Sequence, residues 1–285
     1  MSLRKYTYLW LFLCLVLTYE FLMLNSRPMD GLLGYLKANV PDFKSLNLSP
    51  EAGRPISLFL GWSGIGVMLL TNLYVLRKRL PFLKKMGSLS GSLNFHIFCG
   101  LLGPTLIVFH TGFRVHGLVA ISFWSMMIVA ASGVIGRYFY VQVAKKRSEL
   151  DKEAELYEKS LRELQKQAPS IAAEAWEKVK IAALRFAGGR VLAQPKMTPP
   201  GFVTLMSVSL LGDLRLAFSS PSLASGMPRG TRNVLRQYAI TKRRALFFET
   251  FKQYLGYWHS FHIPFAFLMY IVAAIHIVTA LIFAV

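Results

Sequence analysis

Apolar residues gather in five long runs, at about 6–24, 56–76, 93–113, 117–137 and 260–285, and the polar residues collect between them. Each run comes close to or exceeds the ~20 residues that a helix needs to cross a bilayer core of about 30 Å. Within the last four runs the sole Asp, Glu, Lys or Arg is Arg137, at the end of the fourth. Lipid offers the main chain no hydrogen-bond partner, so a spanning segment must satisfy its own backbone as a helix or in a closed barrel. The pattern predicts an all-α, polytopic membrane protein with five transmembrane helices.

The polar stretches carry their own signals. A short basic start, Arg4 and Lys5, precedes the first run, as in a secretory leader. That run is longer than a usual leader core and no A-x-A site follows it, so residues 1–25 are read as a retained helix. Residues 26–55, rich in Pro, Gly, Asn and Asp, read as an irregular excursion with one short helix at 31–39. Residues 56–137 hold helices two to four, and 258–285 the fifth. Between them, 138–257 reads as a helical insert. "KKRSELDKEAELYEKSLRELQKQ" is rich in helix formers with opposite charges three or four apart, and is expected to continue the fourth helix. Pro169 and Ser170 restart a helix closed by Gly188 and Gly189, and a Pro-rich break follows at Pro195–Pro200. "GFVTLMSVSLLGDLRLAF" holds Asp213 and Arg215, which points to a buried or interfacial helix and not a sixth span. A basic helix over 231–257 is expected to lead straight into the fifth span.

Composition agrees: 54% of the 285 residues are hydrophobic, above the ~45–50% of soluble domains. The net charge of +19 would suit a nucleic-acid partner, but its distribution argues for a membrane and against nucleic acid. The loop after the second helix holds Arg77, Lys78, Arg79, Lys84 and Lys85 and no acid. The turn after the third holds only Arg114, and 138–258 holds 20 basic against 10 acidic residues. This alternation follows the positive-inside rule. It places the N-terminus and the insert in the cytoplasm, and the 26–55 loop and the C-terminus outside. Basic residues at helix ends also meet anionic lipid. The two cysteines, Cys14 and Cys99, lie in predicted helices and form no C-x-x-C, so they read as small buried hydrophobes.

Three of the six histidines lie in "WHSFHIPFAFLMYIVAAIH", where lipid cannot solvate an imidazole. His96 and His110 are 14 residues apart in the third helix; His262 and His276 are 14 apart in the fifth. Fourteen residues return a helix to within about 40° of the same face and advance it about 21 Å. Third and fifth helices run the same way. His96 and His262 therefore fall at the cytoplasmic level, and His110 and His276 at the outer one. Two imidazoles at each level suit two bis-histidine, low-spin haems. Pairs about 21 Å apart cannot converge on one zinc. His259 stands one turn before His262, as a propionate or quinone contact in one reading and a structural interfacial histidine in the other. His116 lies in the outer turn. Arg114 and Arg137 sit near the two levels as propionate partners or as helix-end anchors. Glu20, the single charge in the first run, is a proton-handling candidate or an acid near the interface. "GWSGIG" (61–66) and "SGVIGR" (132–137) place small residues beside the ligand helices, for a porphyrin or for helix packing.

The two H-x13-H helices, "HIFCGLLGPTLIVFH" and "HIPFAFLMYIVAAIH", resemble those of the bis-haem membrane cytochrome b superfamily. That group includes the cytochrome b of bc-type quinol oxidoreductases and the ferric-reductase-like transmembrane domains. The resemblance covers about 56–137 and 258–285. It implies a four-helix haem-binding bundle of helices two to five, two haem b groups and a quinone as reaction partner. The large insert belongs to neither branch, and the flavin module of ferric reductases is not in this chain. The resemblance therefore implies a di-haem electron-transfer subunit of a bacterial inner membrane. It would link a quinone/quinol pool to a redox partner docking on the insert, or serve as a ferric-reductase-like electron donor. The rivals from other classes are a histidine-based proton or ion transporter and a membrane scaffold.

Overall fold

The computed structural model describes residues 2–45, 47–51, 53–82, 88–188, 201–218 and 226–283. Among them there is no strand; there are eleven α-helices and one 3-10 turn, Pro41–Phe43. The helices are α1 (Leu3–Ser26), α2 (Leu32–Asn39), α3 (Pro55–Leu70), α4 (Asn72–Arg79), α5 (Leu89–His110) and α6 (Gly117–Gln142). Then come α7 (Arg147–Lys166), α8 (Ala173–Gly188), α9 (Phe202–Phe218), α10 (Thr231–Leu246) and α11 (Phe248–Ile282). Five stretches are long and apolar enough to span a membrane: α1, α3 with α4, α5, most of α6, and α11. The protein is an all-helical integral membrane protein. It divides into two compact units, Met1–Val134 with Phe261–Val285, and Ile135–Ser260.

In the first unit α5 is the central helix. On one side Tyr6 of α1 meets Phe95 and Phe98, and Phe21 meets Phe109 and Phe113. Trp10 Nε1 donates to Thr105 Oγ1 at 3.1 Å. On another side α3 lies along α5 through glycines. A Cβ on Gly64 would stand 2.7 Å from Ile107 Cδ1, and one on Gly103 would run into the Met68 side chain. Small residues allow such close approach where both helices are apolar all round. Buried Met68, Met126 and Met269 join α3, α6 and α11, with Ile107 of α5, Phe123, Met127 and Tyr270 packed around them. Outward faces carry Phe59, Phe12 and Phe267 at 60–71% exposure, the arrangement of a lipid-facing surface.

The second unit is built differently. Helices α7, α8, α9 and α10 each bury one face, and their shared core includes Leu161, Val179, Ala183, Ala187, Leu216, Leu235, Tyr238 and Ala239. Arg243 of α10 is fully buried. Its Nη1 donates to the carbonyls of Ala187 (2.8 Å) and Ser209 (3.1 Å), and its Nη2 pairs with Asp213. One guanidinium thus satisfies main-chain oxygens of two helices, which is what a buried cation requires. A second cluster gathers Phe139, Leu205, Phe247 and Phe251.

Several boundaries differ from those the sequence predicts. The fourth apolar helix does not continue through the charged stretch; it ends at Gln142 and α7 starts afresh at Arg147. There the Glu149 carboxylate accepts the Lys146 N–H at 3.4 Å, and Lys145 pairs with Glu153 at 2.8 Å. A new N-terminus with an acid in its first turn outcompetes one long helix. The basic helix over 231–257 is interrupted at Phe247, whose ring is buried in the second cluster, so α11 begins at Phe248. The restart after Pro169 begins at Ala173, and the second span breaks at Thr71. Gly189, the Pro195–Pro200 break, Lys84 and Lys85 lie outside the described residues.

Candidate functional site

The histidines of the first unit are held by helices other than their own. His96, on α5, directs Nδ1 to the carbonyl of Thr71 at 3.0 Å. Thr71 is the joint between α3 and α4, where an apolar span would otherwise run unbroken from Pro55 to Arg79. Fourteen residues on, His110 directs Nδ1 to the Ser57 carbonyl at 2.7 Å. The Ser57 hydroxyl donates back to the His110 carbonyl at 2.8 Å, and Ser57 is buried. Gly61 makes this contact possible, because a Cβ there would stand 2.8 Å from His110 Nδ1. On α11, His262 Nδ1 lies 2.7 Å from Ser132 Oγ of α6. Helix α3 with its joint therefore serves both histidines of α5, and α6 serves the first histidine of α11.

These partners determine where the ring protons sit. A carbonyl can only accept, so His96 and His110 carry Nδ1–H. The Ser132 hydroxyl donates to the Val129 carbonyl at 2.9 Å and also meets His262 Nδ1. In His96 and His110 the lone pair is then on Nε2. Metal-binding histidines commonly show this arrangement, since the bond from the other nitrogen fixes the ring and raises its basicity. His276, the fourth, is half-buried on α11, and its carbonyl accepts the Thr279 hydroxyl at 2.9 Å. Among the described residues no three His, Cys, Asp or Glu side chains converge. A haem iron asks for two such axial ligands, and the donor set fits it.

The other candidates separate. Arg114 and His116 are exposed in the turn after α5. Arg137, in the second unit, has its guanidinium 5.5 Å from the Tyr140 ring centre, and its buried Nε has no hydrogen-bond partner. His259, also in that unit, is exposed, with Nδ1 3.2 Å from its own helix's Leu255 carbonyl. Glu20 is structural, because its two carboxylate oxygens accept the N–H groups of Leu32 (2.5 Å) and Leu33 (3.2 Å). It caps α2, adding charge to a helix end that favours it. Among the small residues, Gly61 and Gly64 admit close helix packing, and Gly136 leaves room for the Trp258 indole.

Three partner residues were not singled out from the sequence, Ser57, Thr71 and Tyr270, and Ser132 entered only as a small residue of "SGVIGR". The signal they leave is a small polar side chain, or a lone tyrosine, within an apolar run. No protein-family model, no curated protein and no solved structure matches the chain.

Proposed function

We propose that the chain is a di-haem b-type cytochrome subunit that carries electrons across the membrane. His96 with His262, and His110 with His276, would each take one haem b, and a quinone/quinol pool would exchange electrons with a partner redox protein through them. The observation that carries this reading is the common tautomer of His96 and His110, each with Nδ1–H on a main-chain carbonyl of another helix, together with the contact of His262 Nδ1 to Ser132 of α6. Bound haem iron supplies reversible one-electron chemistry. The chain's own residues orient the imidazoles and surround them with apolar side chains. Arg114 would serve a propionate carboxylate at the outer level. Under this reading the protein sits in a bacterial inner membrane with the N-terminus inside, and the 138–257 insert docks the partner in the cytoplasm.

The same tautomers argue against a proton relay. A relay imidazole must take a proton at one nitrogen and release one from the other. An Nδ1–H bonded to a main-chain carbonyl has nowhere to pass its proton.

The test is a dithionite-reduced minus oxidised spectrum of the purified protein. Two haems per chain and a b-type α-band are expected, and His276→Ala should lose one haem while keeping the other. A protein without the band, or one keeping both haems in that variant, would overturn the reading.

A further inference from the structure

The joint in the second span is more than a helix end. Around it the hydrogen bonds shorten to the three-residue kind: Thr71 N–H donates to Met68 O at 3.0 Å, and Tyr74 N–H to Thr71 O at 3.2 Å. Such a tightened turn lets its carbonyls take further donors. The Met68 carbonyl also accepts the Thr71 hydroxyl at 2.6 Å and the Tyr270 hydroxyl at 2.8 Å. The Thr71 carbonyl accepts His96 Nδ1–H. Tyr270 gives its one proton to Met68, so it accepts from Asn72 Nδ2 at 3.2 Å. The chain Asn72–Tyr270–Met68 therefore clasps both sides of the joint, from a helix to which neither Met68 nor Asn72 belongs.

Tyr270 stands eight residues after His262 and six before His276. Its ring packs with the methionine cluster where α3, α5, α6 and α11 meet. A phenol in an apolar core is retained only if its hydroxyl is satisfied, and here the hydroxyl is spent on the joint.

We infer that Tyr270 is a positioning residue for His96: by clasping the joint it sets the Thr71 carbonyl where the His96 imidazole needs its partner. The inference rests on the haem reading. The last helix then acts on the ligands twice, directly through its own histidines and at a distance through Tyr270. Loosening the joint weakens the bond from His96 Nδ1–H, makes that imidazole a poorer donor to ferric iron, and raises the reduction potential of the group it holds. His110, bonded to Ser57 near the far end of α3, is untouched by the change.

The experiment uses the full-length protein in detergent and compares wild type, Tyr270→Phe and Asn72→Ala. His96→Ala and His276→Ala assign the two haem signals. Haem content, the low-spin electron paramagnetic resonance signals, the potential of each haem and the melting temperature are read together. In Tyr270→Phe, retention of the haem lost by His96→Ala should fall about 10-fold, the low end of the range for such partners, and its potential should rise. The haem lost by His276→Ala should keep its signal and potential. Asn72→Ala should move the same haem in the same direction by less, and it decides the matter if Tyr270→Phe does not fold. A purely structural tyrosine would lower the melting temperature and move both haems alike or neither. Either result overturns the inference. A wild-type protein without haem fails earlier and overturns the haem reading itself, so the two failures are distinct.

Discussion

The two units of this chain solve the packing problem in opposite ways. In Ile135–Ser260 each helix has one face to bury. α7 turns Leu150, Ala154 and Leu161 inward, α10 turns Leu235, Tyr238 and Ala239, and charges cover the rest. In the other unit α1, α3, α5 and α11 are apolar on every side, and few of their residues are buried. Their mutual placement comes from small residues that admit a neighbour and from single polar groups that must find a partner. The difference teaches where positional information resides. Among amphipathic helices it lies in the period of the apolar residues. Among helices suited to lipid, apolar contact is as good outward as inward, and the rare polar side chains carry it.

The sharpest way to break that comparison is Arg243→Ala. Arg243 is a fully buried polar centre of the second unit, and removing it leaves Asp213 and two carbonyls short of a donor. Loss of one partner from a buried pair costs about 3–5 kcal/mol. Hydrogen exchange on α7–α10 should speed up by a corresponding factor. Protection that stays at the wild-type level would show that the apolar period alone holds the unit.

Next in size are two substitutions in the first unit, one on each side of its helix set. Gly61→Ala pushes a methyl group into the His110 ring. Ser132→Ala removes the hydroxyl that meets His262 Nδ1. Neither deletes a ligand. Under the haem reading, Gly61→Ala should weaken the haem also lost by His276→Ala, and Ser132→Ala should weaken the other. The expected loss in retention is about 10- to 100-fold, the range for second partners of metal-bound histidines. Equal loss of both haems in each variant would mean that single polar contacts do not place these helices separately.

The same contrast explains what was legible in the sequence. The five spans were, because run length alone separates lipid from water as the surroundings of a helix. The histidine faces were expected from a 14-residue repeat. The partners were not. Nothing in "GWSGIGVMLLTNLY" distinguishes Thr71 from any other threonine, since the Tyr270 hydroxyl that meets the joint at the Met68 carbonyl comes from about two hundred residues away. Glu20 shows the same limit. An acid in an apolar run invites a functional reading, and its partners are main-chain N–H groups, which a sequence does not display. The breaks at Gln142 and Phe247 were missed for a related reason: good helix formers continue through both, and local capping and ring burial decide against propensity.

The smallest effect expected is also the one that separates the two chemistries without touching a ligand. Tyr238 of α10 is buried in the second unit, and burial, with Glu158 and Glu177 nearby, pushes its phenol from the ordinary value of 10 up to about 12. In the unfolded chain the phenol ionises first. The folded state then binds more protons than the unfolded state between about pH 10 and pH 12, and stability falls as pH rises through that window. The contribution is whole below pH 10 and gone above the folded value. Tyr238→Phe removes the titrating group and keeps the ring, so the protection of α7–α10 should match wild type near pH 7 and decline less steeply above pH 10. A slope identical to wild type would place the alkaline loss elsewhere in the unit. A flatter slope would show that burial of a single face, read from the period of α10, governs even the proton balance of this unit.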